Sequence, residues 1–203
     1  MRLLLLSRHG QSVFNVQGVV NGDPGRDLGL SELGQSEAAR LASQLAAVAI
    51  DACVVSSFPR AQQTARIALG DRRPAVAPVV DRDLDDIRVG QLEGRTLDDY
   101  REWKHAHHRA DPFPGGESLD DAARRYAGVY ERLLARPEET ILCVCHEIPI
   151  RYAVNAAVGS VDFDSPVHDV ANATPYLFDV AGLQRVVERM RELAGPTSRQ
   201  SSG

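Results

Sequence analysis

"LLLLSRHGQSVFN" (residues 3–15) begins as an unbroken apolar run and ends in Ser7, Arg8, His9 and Gly10, followed by small polar groups. Four consecutive leucines suit a strand covered on both faces, the pattern of a parallel sheet held between helices. An arginine and a histidine at the tip of such a strand are costly to bury unpaired. They either lie in solvent or hold something anionic.

The remaining chain repeats the alternation of strand and helix. "LSELGQSEAARLASQLAAVAI" (30–50) sets Leu33, Ala38, Leu41, Leu45 and Val48 near one helical stripe, with Ser31 as N-cap. "DACVVSS" (51–57) reads as a second strand, and "RAQQTARIAL" (60–69) as a helix closed by Gly70. "AVAPVVD" (75–81) fits a short strand that Pro78 confines to an edge. "SLDDAARRYAGVYERLLARP" (118–137) is a helix capped by Ser118, with Asp121 at N3 and an inner stripe of Ala122, Tyr126, Val129, Tyr130 and Leu133. "TILCVCH" (140–146) is a third central strand, followed by a helix over 148–159, and "PYLFDV" (175–180) is another strand. Residues 183–193 fit either a helix or the return arm of a hairpin through Ala181-Gly182. The expected fold is a three-layer α/β/α sandwich with a mainly parallel central sheet, one domain over 1–195, and a disordered tail at 196–203.

Composition bounds the function. The chain has 203 residues, 25% charged and 43% hydrophobic, enough for one sizeable core. A net charge of -5 argues against nucleic acid as a partner, so an anion site must be local. The N-terminal apolar run is too short for a signal peptide, and no stretch is long enough to span a membrane. Cys53, Cys143 and Cys145 sit in apolar β-like runs, as reduced core thiols do, which points to the cytoplasm. Oligomeric state is not legible.

Three strands end in polar groups: "SRHG", "SSFPRA" and "CHE". In a parallel sheet these ends share one edge, where ligands bind. Arg8, His9, Arg60 and His146 can therefore converge on a phosphate, which arginine forks grip bidentately. Arg60 also opens a helix, whose free N–H groups favour an anion. Asn15 adds a neutral donor. Asn21, Gly22 and Glu147 complete the candidate substrate-binding set.

These residues resemble a family. "SRHGQSVFN" is similar to the RHGxSxxN signature of the histidine phosphatase superfamily, in its phosphoglycerate mutase-like branch. "LSELGQSEA", "SSFPRAQQTA", "LDDIRVGQLEG", "FPGGESL" and "VCHEIPIR" follow in the family's order. A run of ordered blocks is far more specific than one motif. The resemblance implies that His9 attacks phosphorus and forms a phosphohistidine, while Arg8, Arg60 and His146 hold the oxygens. It also implies that Asp86 protonates the leaving oxygen, and that no metal or cofactor is required. The substrate is then a small phosphorylated metabolite. Two residues depart from the pattern. Asp86 stands where the family has glutamate and reaches about 1.5 Å less far, one C–C bond. Glu147 replaces a glycine, and its carboxylate repels phosphate unless it points away or pairs with Arg151.

Phosphoglycerate mutase uses the same phosphohistidine chemistry, but such relatives are usually longer between the acid block and "GES", where this chain has only a short lid around Trp103. A non-catalytic phosphate-binding module would not need both histidines and both arginines. "CHEIPIR" (145–151) has the C-x5-R spacing of cysteine-dependent phosphatases, yet Pro149 lacks the N–H that such a loop uses. In "HAHH" (105–108), His105 and His108 are helical neighbours without a spaced partner to complete a metal site.

Overall fold

A computed structural model describes residues 1–72 and 75–195; the expected tail lies outside the described residues. Five strands form one sheet: β1 (Leu3–Arg8), β2 (Ala52–Val55), β3 (Pro78–Val80), β4 (Thr140–Cys145) and β5 (Pro175–Asp179). Their order is β3-β2-β4-β1-β5. The first four run parallel, and β5 pairs antiparallel with β1 at the far edge. Only 78–80 of the expected 75–81 strand pairs, at the edge that Pro78 requires.

Alternation along the strands builds two cores. Leu5, Cys53, Val55, Leu142 and Val144 meet Leu41 of α2 (Glu32–Gln44) and Phe58, Ala61 and Ala65 at and within α3 (Pro59–Leu69). Leu4, Leu6, Val54, Ile141 and Cys143 face α5 (Leu119–Leu134), α6 (Glu147–Ala157) and α7 (Val180–Ala194). The three layers and the mainly parallel sheet are those expected from the sequence.

Helix starts follow their caps. Ser12 caps the short α1 (Val13–Gln17), Ser31 caps α2, and Ser118 forms a capping box with Asp121 at the start of α5. The 183–193 ambiguity resolves as helix. Asp179 accepts the Gly182 N–H at 2.6 Å, which puts Ala181-Gly182 in a first helical turn. Leu183, Val186, Val187, Met190 and Ala194 then form the buried stripe. One residue of the α2 stripe is corrected: Leu33 is 54% exposed, because Gly34, Ala38 and Leu41 take the inner face.

Gly34 is there for a reason. A Cβ on it would meet the Gln11 carbonyl oxygen at 2.0 Å, and one on Gly10 would meet the Gly34 oxygen at 2.3 Å. The loop after β1 therefore lies directly on α2, backbone against backbone. Gly34→Ala should cost about 1–3 kcal/mol in urea unfolding, the scale of overpacking, and should displace this loop. Gly128→Ala, whose nearest neighbour is the tip of Arg132 at 3.7 Å, should instead gain about 0.5–1 kcal/mol.

Candidate active site

The C-terminal ends of β1, β2 and β4 lie side by side, and the loops leaving them bring Arg8, His9 and Arg60 to the wall of one cavity, with His146 packed directly against His9 and Arg60. His9, Arg60 and His146 are 2%, 3% and 0% exposed. The two imidazole rings meet edge to face at 5.3 Å. Arg60 touches both: its Nε donates to His9 Nε2 at 3.0 Å, and an Nη lies 3.3 Å from His146 Nδ1.

His9 Nδ1 is 2.6 Å from the Gly10 carbonyl oxygen. Only an N–H can face a carbonyl at that distance, so Nδ1 carries the proton and Nε2 the lone pair. Burial, then the cations of Arg60 and Arg8, hold His9 well below the usual histidine range. Burial, Arg60 and His9 do the same to His146.

A buried guanidinium needs anions and carbonyls around it. Asp27, whose side chain is wholly buried, lies 3.4 Å from the Arg60 guanidinium and accepts the Arg60 backbone N–H at 2.8 Å. Asn21 offers its side-chain and backbone oxygens to the same guanidinium. Thr64, one turn along α3, donates to the Arg60 carbonyl and accepts the Gly10 N–H, tying α3 to the loop of His9.

Asp86 lies across the cluster, its Oδ2 3.4 Å from Arg60 and 3.6 Å from His146 Nδ1. Burial raises its carboxyl above the ordinary range, although Arg60 and the Ile87 N–H pull the other way. Its loop is clamped from below. Arg125 donates to the carbonyls of Asp83 and Asp85, and Glu117 of the "GGES" block pairs with Arg125. Tyr126 donates its hydroxyl to the Asp85 carbonyl at 2.9 Å.

Glu147 pairs with Arg151 at 3.1 Å, and also with Arg8 at 3.0 Å. Asn15 lines the cavity, with its Oδ1 used in the α1 capping box and its amide N–H groups left over. Asn21 and Gly22 line it too: Glu93 accepts from the Asn21 side-chain amide and the Gly22 N–H, and the Asp23 carbonyl takes the other proton of that amide. Asn21 also positions Arg60 through its side-chain and backbone oxygens.

The cavity measures about 370 Å³. Its outer wall comes from α4 (Leu97–Ala106), through Leu97, Tyr100, Arg101 and Lys104. Trp103 anchors this helix by stacking on Phe113 and His107, each at 4.1 Å. Because α4 stops at Ala106, His105 and His108 do not share a helix face. Among the described residues no cluster of three or more histidine, cysteine or acidic side chains is placed to hold a metal ion. Cys145 is fully buried in the core and does not line the cavity, which removes the C-x5-R reading. Asp27 carries no signal in the sequence because an isolated acid in a loop has no spacing pattern, and Arg125 is hidden among the polar positions of α5. Glu117 could have been found, since it stands in a block already singled out.

The family model of the histidine phosphatase superfamily (branch 1) matches residues 4–192. The chain belongs to that family. A histidine phosphatase superfamily chain of this kind has curated relatives named as 2,3-bisphosphoglycerate-dependent phosphoglycerate mutases. The one from Methylobacterium sp. (strain 4-46) is 36% identical over 61% of this chain and 64% of its own length. The one from Brucella melitensis biotype 2 is 33% identical over 78% of this chain and 82% of its own. Among solved structures, the alpha-ribazole phosphatase from Shigella flexneri superposes with a TM-score of 0.76 at 26% identity, covering 87% of this chain and 90% of that one. A mycobacterial glucosyl-3-phosphoglycerate phosphatase, complexed with VO3, gives 0.69 at 28% identity over 87% and 92%. The fold and the family are those that the sequence resemblance implied.

Two histidines held neutral in the fold make a prediction about pH. Both titrate below the unfolded value of about 6.5, so below that pH the unfolded chain binds more protons than the folded one. Stability is then full above pH 6.5 and falls as pH drops toward the folded-state values, by about 1.4 kcal/mol per pH unit for each group. The melting temperature should decline from pH 7 to 5.5, and His9→Asn and His146→Asn should each flatten that decline.

Proposed function

We propose that this chain hydrolyses the phosphomonoester of a small metabolite through a phosphohistidine on His9. The observation that carries the proposal is the orientation of His9: its proton is fixed on Nδ1, so the lone pair of Nε2 is turned to the cations that would hold a phosphoryl group. A neutral imidazole among fixed positive charges is a nucleophile ready at neutral pH.

In the proposed reaction Arg8, Arg60 and His146 take the phosphoryl oxygens, and Arg60 exchanges its bond to His9 for bonds to phosphate. His9 Nε2 attacks phosphorus while the bond to the leaving oxygen breaks. Protonated Asp86 gives its proton to that oxygen, and the alcohol departs. Water then attacks the phosphohistidine, Asp86 takes the water proton, and inorganic phosphate leaves with His9 restored. A raised carboxyl suits both halves of this cycle. Binding of the phosphate must also draw Arg8 away from Glu147. The three free, buried thiols support a reducing compartment such as the cytoplasm.

A mutase is the second reading, favoured by the named mutases among the relatives. Incubation with p-nitrophenyl phosphate and with 3-phosphoglycerate separates the two. Hydrolysis predicts free phosphate from one or both and no 2-phosphoglycerate. Conversion of 3- to 2-phosphoglycerate without net phosphate release would replace hydrolysis by the mutase reaction.

Asp86 has its own test. An acid matters most when the leaving group is poor. Asp86→Asn should lose about 10²–10⁴-fold on an alkyl phosphate and distinctly less on p-nitrophenyl phosphate, with Glu93→Gln showing no such dependence. Equal losses of Asp86→Asn on both substrates would give Asp86 an orienting role and move the acid elsewhere.

A further inference from the structure

Behind His146, on the side away from the cavity, a chain of hydrogen bonds runs to a carboxylate that the mechanism above does not use. Ser56, wholly buried at the end of β2, has its Oγ 2.7 Å from His146 Nε2 and 2.9 Å from Asp85 Oδ1, and it also accepts the Phe58 N–H at 3.2 Å. Asp85 further accepts the Ser57 N–H at 2.7 Å and the Ser57 hydroxyl at 2.6 Å.

Counting protons fixes the direction of this chain. A serine hydroxyl has one proton to give. The backbone N–H of Phe58 can only donate, and a carboxylate already accepting from Ser57 can only accept. The Ser56 proton therefore points to Asp85, and His146 Nε2 must bring its own proton to the Ser56 oxygen. In the neutral ring the lone pair is then on Nδ1, the nitrogen that faces Arg60 at 3.3 Å and Asp86 at 3.6 Å.

The surroundings explain why such a chain is useful. Burial and then the charges of Arg60, His9, Arg8 and Arg125 oppose a proton on His146, and Phe58 packs edge to face with its ring, the centroids 4.7 Å apart. Asp86 is the acid that faces Nδ1 of His146, at 3.6 Å, while Glu147 and Asp169 line the cavity further out. Asp85 supplies a negative charge from behind, passed through one hydroxyl, without entering the space where a phosphate would sit. The outer partner of a histidine ligand sets its tautomer and its basicity in the same manner.

We propose that Ser56 and Asp85 are positioning residues that hold His146 as the Nε2–H tautomer, so that Nδ1 takes up a proton and donates it as a hydrogen bond to the bound phosphoryl group. This rests on the proposed phosphatase function, in which His146 meets the phosphoryl oxygens. It gives Asp85 a task different from that of its neighbour Asp86: one residue steadies a cation, the other moves a proton.

Two measurements on the full-length protein test it. The first needs no substrate: ¹⁵N-edited spectra of the histidine rings near neutral pH should show His146 protonated at Nε2 alone, and Ser56→Ala should turn this into a mixture of tautomers. The second is the pH profile of kcat. Ser56→Ala and Asp85→Asn should lower kcat by about 10–100-fold, the scale seen when the hydrogen-bond partner of a metal-bound histidine is removed. The loss should be the same on alkyl and p-nitrophenyl phosphate, unlike that of Asp86→Asn. Both variants should also move the alkaline limb to lower pH, because the imidazolium has lost its supporting charge. Ser57→Ala, which loses only a bond to the same carboxylate, should leave that limb in place. A wild-type His146 protonated at Nδ1 would overturn the proposal, as would a folded Asp85→Asn protein with an unmoved alkaline limb. Nε2–H in a wild type that releases no phosphate would support the hydrogen-bond chain and contradict the phosphatase function alone.

Discussion

Arg60 is a full positive charge placed where water scarcely reaches, and between two imidazoles that cannot neutralise it. A buried guanidinium left unpaired would be prohibitive, so much of the architecture near the strand ends supplies it with acceptors. Asp27 sits on the loop before α2 to reach both its guanidinium and its backbone. Asn21 turns two oxygens to it and is in turn held by Glu93. Phe58 stacks under it at 4.2 Å. Asp86 completes the set from the side of His146, at 3.4 Å from the guanidinium.

The same constraint separates the roles of three neighbouring acids. Asp85 points behind His146 to the turn at Ser56 and Ser57, Asp86 points into the cavity, and Glu117 anchors the arginine that clamps the backbone of both. Glu147 stands apart from these. It lies between Arg8 and Arg151 at the cavity wall, where its carboxylate pairs with both. A glycine there would leave Arg8 without that partner.

The central layers were legible because strand burial is written as apolar runs: the leucines of β1 and the fully buried β4 allow no other placement. The convergence of Arg8, His9, Arg60 and His146 followed from one topological fact, that parallel strands end on a common edge. What stayed hidden depends on side-chain direction rather than on spacing. Asn21 and Gly22 lie beside the cavity as expected, yet their hydrogen bonds turn inward to Glu93. Leu33 has the right helical phase and still faces solvent, since Gly34 takes the contact with the loop of His9. Residues 183–193 are helical because Asp179 caps the turn before them, a choice that composition does not make.

The central claim is that His9 Nε2 becomes bonded to phosphorus during turnover. Rapid quenching with ³²P-labelled substrate, followed by tests of the trapped protein, addresses it directly. A phosphoramidate on His9 predicts label that survives base, is lost in mild acid, and is absent from His9→Ala. Label that survives acid but is lost in mild base would identify an acyl phosphate on a carboxylate and contradict the account.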